Sequence, residues 1–177
     1  MKKNFITLFL ILIFPIKAFA LIEVDITRGN LNPLPLAVSP LSIDEQSKKS
    51  FEKILKKENI GSEISEIVEN NLRTSGLFNP LSKDAFLQGA EIANLKPRFE
   101  DWNLIKAQAL ITGKVSYVDE KLRVEFRLWD VLAAKEIMAL AFTTVPDNWR
   151  RVGHIISDKV YERLTGEKGY FDTRIIY

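Results

Sequence analysis

The clearest hydrophobic pattern in the chain is a two-residue alternation from Lys121 to Trp129 (KLRVEFRLW). Leu122, Val124, Phe126 and Leu128 share one face, and Arg123, Glu125, Arg127 and Trp129 share the other. That is the period of a half-buried β-strand. An apolar segment from Ala109 to Val118 precedes it, and Asp119-Glu120 between the two predicts a tight hairpin. Lys135 to Val145 (KEIMALAFTTV) is apolar on both faces, which predicts a central strand. Leu34 to Val38 reads as a short strand closed by Ser39-Pro40. Leu21 to Arg28 (LIEVDITR) alternates once more, with Ile22, Val24 and Ile26 opposite Glu23, Asp25 and Thr27. Gly29-Asn30 ends that segment, and Pro33 and Pro35 keep the following chain extended.

Helical periods fill the gaps. Ile64, Ile67, Val68 and Leu72 form one stripe of a helix opening at Gly61-Ser62, with Ser62 as N-cap and Gly76 just past its end. Leu77 to Leu81 then turns the chain back toward the core. Pro97 to Lys106 predicts a short helix with Phe99, Trp102 and Ile105 inward. The longest helix runs from Asn148 to Thr165 behind Pro146-Asp147, buries Trp149, Val152, Ile155, Ile156, Val160 and Leu164, and stops at Gly166. Asp158 and Arg163 are expected to face out. Ser42 to Asn59 has helical spacing at Phe51, Ile54 and Leu55, but its charge density favours a solvated loop with one amphipathic turn over a helix. The order β-β-α-α-β-β-β-α predicts an α/β (α+β) fold: a mixed β-sheet packed with helices in a single domain.

The first twenty residues change the charge argument. Lys2 and Lys3 open the chain, Phe5 to Phe14 is unbroken apolar sequence, and Ala18-Phe19-Ala20 has the small-x-small form of a cleavage site. This is the pattern of a signal peptide cut after Ala20. Spanning a bilayer takes roughly 20 apolar residues, and Pro15 and Lys17 end this run well short of that. Losing Lys2, Lys3 and Lys17 turns 25 basic against 23 acidic residues into 22 against 23. The mature chain therefore has no positive excess to argue for nucleic acid or an anionic membrane surface. The chain has no cysteine, which excludes thiol catalysis and Cys-ligated zinc and suits a Gram-negative periplasm.

Catalytic groups are sparse. His154 is the sole histidine. On the last helix it could act as a base oriented by Asp158, one turn on, but a half-buried structural role is favoured because no second catalytic group accompanies it. Asp44-Glu45 and Asp119-Glu120 are carboxylate pairs whose turn positions explain them without glycosidase chemistry. No phosphate- or dinucleotide-binding glycine motif is present. No catalytic residue, metal, cofactor or small-molecule substrate is expected. Trp102 and Trp149 are expected in the core. Trp129, on the polar face of its strand, either covers a helix or belongs to a contact surface.

Several segments together resemble the TolB family of the periplasmic Tol-Pal system. They are the alternating start LIEVDITRG, LAVSPL, the helix ending in LRTSGLFNPL, the meander ALITGKVSYVDEKLRVEFRLWDV, and WRRVGHIISDKVYERLTGEKGYFDTRIIY. The resemblance implies an N-terminal α/β domain followed by a β-propeller. It divides the chain into a signal peptide (1–20), an N-terminal strand (21–33), the α/β domain (34–166), and a linker with the first propeller strand (167–177). Gly169 to Tyr177 (GYFDTRIIY) reads the same way, as a linker turning into a strand. The rest of the propeller is expected to be missing.

In this family the mature N-terminus, the TolA box, binds the periplasmic C-terminal domain of TolA. That role maps onto Leu21, Ile22, Glu23, Val24, Asp25, Ile26 and Thr27. Pal is a partner of the propeller and is expected only where the propeller is present. The implied function is a non-enzymatic periplasmic adaptor that supports outer-membrane integrity and constriction during cell division. Two alternatives remain. One is an accessory protein activating cell-wall synthesis, which a lipobox cysteine would favour. The other is a periplasmic hydrolase, which needs a nucleophile-base pair.

Export is directly measurable. Mass spectrometry of the protein recovered from the periplasm should give a chain beginning at Leu21. An uncleaved, membrane-bound chain would refute the signal-peptide reading.

Overall fold

The computed structural model describes residues 32–173. The predicted signal peptide and the predicted strand from Leu21 to Arg28 lie outside the described residues, as do residues 174–177. The strands are β1 (Leu34–Val38), β2 (Ser42–Ile43), β3 (Phe78–Pro80), β4 (Ala109–Val118), β5 (Lys121–Asp130) and β6 (Lys135–Thr144). The α-helices are α1 (Glu45–Leu55), α2 (Ile60–Thr74), α3 (Phe99–Leu104) and α4 (Trp149–Thr165). They form one mixed, open sheet of order β3-β1-β4-β5-β6, with β2 also paired to β4.

Strand β4 organises this sheet. It pairs in parallel with β1 from Leu36↔Ala109 to Val38↔Ile111, and further along with β2 at Ser42↔Lys114. Its other edge pairs antiparallel with β5 from Ala109↔Asp130 to Val118↔Lys121. The hairpin turn is the predicted one. Asp119 and Glu120 have φ of 51° and 59°, the left-handed pair of a type I′ turn whose twist matches the flanking strands.

The helix side of the sheet holds most of the core. Leu36, Val38, Ile111, Val124 and Phe126 meet Ile64, Val68 and Leu72 of α2 and Val152, Ile156 and Val160 of α4. The two helices come close at Gly153, where an added Cβ would lie 2.8 Å from Ile67 Cγ2. Helix α2 begins at Ile60 with Asn59 in the cap position and no side-chain cap, so Ser62 is not its N-cap. Leu77 to Leu81, predicted as a turn, contains strand β3. On the opposite side Ala37, Leu110 and Trp129 are covered by Ile92, Phe99 and Trp102. That settles Trp129: its ring meets Phe99 of α3 edge-on at 5.8 Å, and its Nε1–H donates to Thr112 Oγ1 at 2.9 Å.

Three further expectations are corrected. First, the segment from Ser42 to Asn59 holds a true helix, α1. Asp44 caps it, accepting Ser47 N–H at 2.8 Å and the Ser47 hydroxyl at 2.7 Å. Phe51 is fully buried against Tyr117, ring centroids 5.5 Å apart. One cap and one anchored aromatic outweigh the solvated charges.

Second, β6 is an edge strand among the described residues, not a central one, because β5 is its single neighbour there.

Third, Asp158 and Arg163 are half-buried and engaged by backbone groups, not free in solvent. Arg163 Nε donates to the Ile137 carbonyl at 3.1 Å. Asp158 accepts the N–H groups of Phe171 at 2.7 Å and Asp172 at 3.1 Å. The predicted linker is thus tied to the body as far as Asp172. Phe171 also meets the Tyr161 ring edge-on, and Arg151 forks onto the Asp172 carboxylate. Gly166 ends α4 as predicted, with φ of 76°.

The Asp44 cap gives a pH-dependent prediction. Hydrogen bonds from the Ser47 hydroxyl and then the Ser47 N–H hold its carboxyl below the ordinary carboxylate range. The folded value lies below the unfolded one of about 4, so the cap contributes fully above that value and is lost as pH falls through the lowered one. Asp44→Ala should cost about 1 kcal/mol near neutral pH. Urea titrations of both proteins should show that gap closing in acid.

Candidate functional site

His154 is the side chain most able to carry chemistry. Helix α4 presents His154 and Ser157 toward Asn71 of α2. Asn71 Nδ2 lies 2.9 Å from His154 Nδ1 and 2.9 Å from Ser157 Oγ. An amide N–H donates, and the Nδ1 lone pair of the imidazole can accept it. Ser157 is fully buried, and its hydroxyl donates to the Gly153 carbonyl at 2.9 Å. No substrate reaches a nucleophile placed there. Asp158, the orienter that a catalytic reading of His154 would need, is engaged with Phe171 and Asp172 instead. The group is a polar seam between two helices.

A second polar hub lies on the other side of the sheet. Gln88 is buried. Its Oε1 accepts Arg98 N–H at 3.2 Å and Trp102 Nε1–H at 3.3 Å, and its Nε2 donates to Asp101 at 2.7 Å. This one amide holds the irregular segment after β3 onto α3. Hydrogen bonds from Arg98 and then Gln88 also keep the Asp101 carboxyl below its ordinary range. Neither Asn71 nor Gln88 was singled out from the sequence, since a polar residue in a helix or loop carries no periodic signal.

The uncovered part of the sheet is polar. Arg123, Glu125 and Arg127 on β5 lie beside Ser116, Lys114 and Thr112 on β4. Arg123 Nε meets Glu125 at 2.8 Å, and Lys114 Nζ meets the same carboxylate at 3.7 Å. These cations, Arg123 foremost, hold the Glu125 carboxyl below its usual range. Small side chains at Ala139 and Ala141 leave a shallow groove of about 220 Å³ between this row and the sheet edge. Among the described residues no cluster of His, Asp and Glu could hold a metal ion, and no helix is long and apolar enough to cross a membrane. The two carboxylate pairs stay apart: Asp44 and Glu45 cap and open α1, and Asp119 and Glu120 form the turn between β4 and β5. The expected partner-binding residues Leu21, Ile22, Glu23, Val24, Asp25, Ile26 and Thr27, and the cleavage residues Ala18 and Ala20, lie outside the described residues.

With a mixed sheet, α1, α2 and α4 sharing one core, and no assembled catalytic group among the described residues, comparison with known proteins decides the family. Residues 22–137 match the model of the TolB amino-terminal domain. The chain belongs to that family. The Tol-Pal system protein TolB of Pelagibacter ubique (strain HTCC1062) is 83% identical over 168 residues, covering 95% of this chain and 38% of that protein. The chain therefore spans well under half the length of this TolB relative. The crystal structure of TolB from Acinetobacter baumannii has the same fold, with a TM-score of 0.63 and 22% identity over 86% of this chain and 33% of that one. The LpoB C-terminal domain from Salmonella enterica is more distant, with a TM-score of 0.46 and 15% identity over 66% of this chain and 86% of that one. The TolB family match starts at Ile22, inside the alternating segment from Leu21 to Arg28.

The polar seam can be tested by substitution. His154→Ala removes one of Asn71's two acceptors and should lower stability by about 1 kcal/mol. Chemical denaturation reads that loss. Partner binding should be unchanged. A hydrolytic activity abolished by the substitution would overturn the structural role.

Proposed function

We propose that this chain is a non-enzymatic Tol-Pal adaptor that works in the periplasm and binds the periplasmic C-terminal domain of TolA through Leu21 to Thr27. The observation that carries this is membership of the TolB amino-terminal domain family, with a match that begins inside the alternating segment. The segment suits β-augmentation. Ile22, Val24 and Ile26 present one apolar face, while the backbone of an extended chain offers its N–H and C=O groups to a receiving sheet edge. The seam around His154 supports a non-enzymatic reading, since its polar groups are satisfied within the fold. Residues 167–177 lead, in this proposal, from the α/β domain toward a propeller, and Pal is a partner only where that propeller is present. The role is support of outer-membrane integrity and constriction during cell division.

A segment that orders on binding loses conformational entropy, which offsets part of its backbone and side-chain gain. The affinity should therefore be about micromolar, roughly −8 kcal/mol. Deleting Leu21 to Thr27 should abolish TolA binding with little change in melting temperature. Ile22→Asp with Val24→Asp should do the same, because both charges would enter the apolar contact. Titration calorimetry against the TolA C-terminal domain is the measurement. Undiminished binding by the deletion variant would move the interface onto the α/β body and refute the assignment.

A further inference from the structure

Strand β6 has the composition of an interior strand and the position of an edge. Natural edges are blunted by lysines, prolines, bulges or short length, because a free row of backbone groups templates further pairing. From Met138 to Thr144 (MALAFTT) β6 has no charge, proline or glycine. Met138, Leu140 and Phe142 lie on the core side, next to Leu128, Phe126 and Val124 of β5. Leu140 is 37% exposed. Ala139, Ala141 and Thr143 lie on the polar side and are exposed. The open stretch is closed at both ends. Arg163 occupies the Ile137 carbonyl, next to the register shift between β5 and β6. Pro146 supplies no N–H at the other end.

We infer that β6 pairs with β6 of a second copy of this chain, antiparallel and centred on Ala141, joining two sheets into one. Ala141 is the midpoint of Met138 to Thr144, so this register uses the whole open stretch of both copies. It sets Leu140 of each copy against Phe142 of the other on the core side, and Ala139 against Thr143 on the polar side. It also brings Lys135 of each copy to the turn that carries Asp147 of the other. Neither Lys135 nor Asp147 has an ion-pair partner among the described residues. The same stretch of β6 serves both copies, as a two-fold interface requires.

A single strand pair buries less than the roughly 1,200 Å² of a standard stable interface. The dimer should therefore be weak, with a dissociation constant on the order of 100 µM. Sedimentation velocity of the purified chain from about 5 to about 500 µM should show monomer giving way to dimer. The chain has no cysteine, so Ala141→Cys supplies a lone thiol at the two-fold axis. Directly opposite Cβ atoms lie about 5 Å apart, so mild oxidation should cross-link this variant. Thr143→Cys, opposite Ala139, should stay uncross-linked.

Ala141→Lys sets two ammonium groups face to face and should weaken the dimer at least about tenfold. Its circular dichroism should be unchanged because the position is exposed. A chain that stays monomeric throughout overturns the inference. So does Thr143→Cys cross-linking as fast as Ala141→Cys, or slow exchange, persisting in the dilute monomer, of those amides of Met138 to Thr144 that point away from β5. The last result would mean that the edge is covered from within the chain.

Discussion

The double pairing of β4 is the constraint on which the rest of the molecule depends. One of its edges must accept β1 and then β2, and the chain between them has to leave the ladder and return within a few residues. Ser65 of α2 makes that possible. Its hydroxyl accepts the Leu41 N–H at 3.0 Å and lies 3.2 Å from the Ser39 carbonyl and 3.0 Å from the Gly61 carbonyl. Buried backbone groups left unpaired would cost about 1–3 kcal/mol each, so one buried hydroxyl stitches the crossing to the helix above it. With that crossing in place, Leu41 packs into the core and α2 is held over β1 and β4.

The same economy of polar groups runs through the rest of the described interior. Asn71 joins α2 to α4, Gln88 holds the loop after β3 to α3, Thr112 satisfies Trp129, and Asp158 receives the chain after Gly166. Among the described residues no buried side-chain nitrogen or oxygen lacks a partner. A site poised for catalysis usually keeps polar groups converging on a cavity. Here they converge on one another.

The two ends of the sheet handle exposure differently. The β3 end is short, running from Phe78 to Pro80, and is ended by a proline. Strand β6 is ten residues long, and its exposed apolar side chains sit beside a polar sheet face. That asymmetry gives the molecule one protected edge and one edge able to accept another strand.

The local elements were legible in the sequence because their signals are local. Leu122 to Leu128 alternates, Asp119-Glu120 makes the turn, and Trp149 to Leu164 follows a helical stripe stopped by Gly166. Each depends on neighbours within a few residues. The TolB resemblance was legible for a similar reason, since its segments are contiguous. Other features needed the tertiary structure. The apolar character of β6 gives its burial preference but not its number of neighbours, so an edge strand read as a central one. The charges of Ser42 to Asn59 hid α1, because what holds that helix is Phe51 against Tyr117, far along the chain. Trp129 was ambiguous until Phe99 was found above it. Periodicity reports which face of an element is apolar; what lies against that face is set by contacts between distant residues, and only the folded chain supplies those.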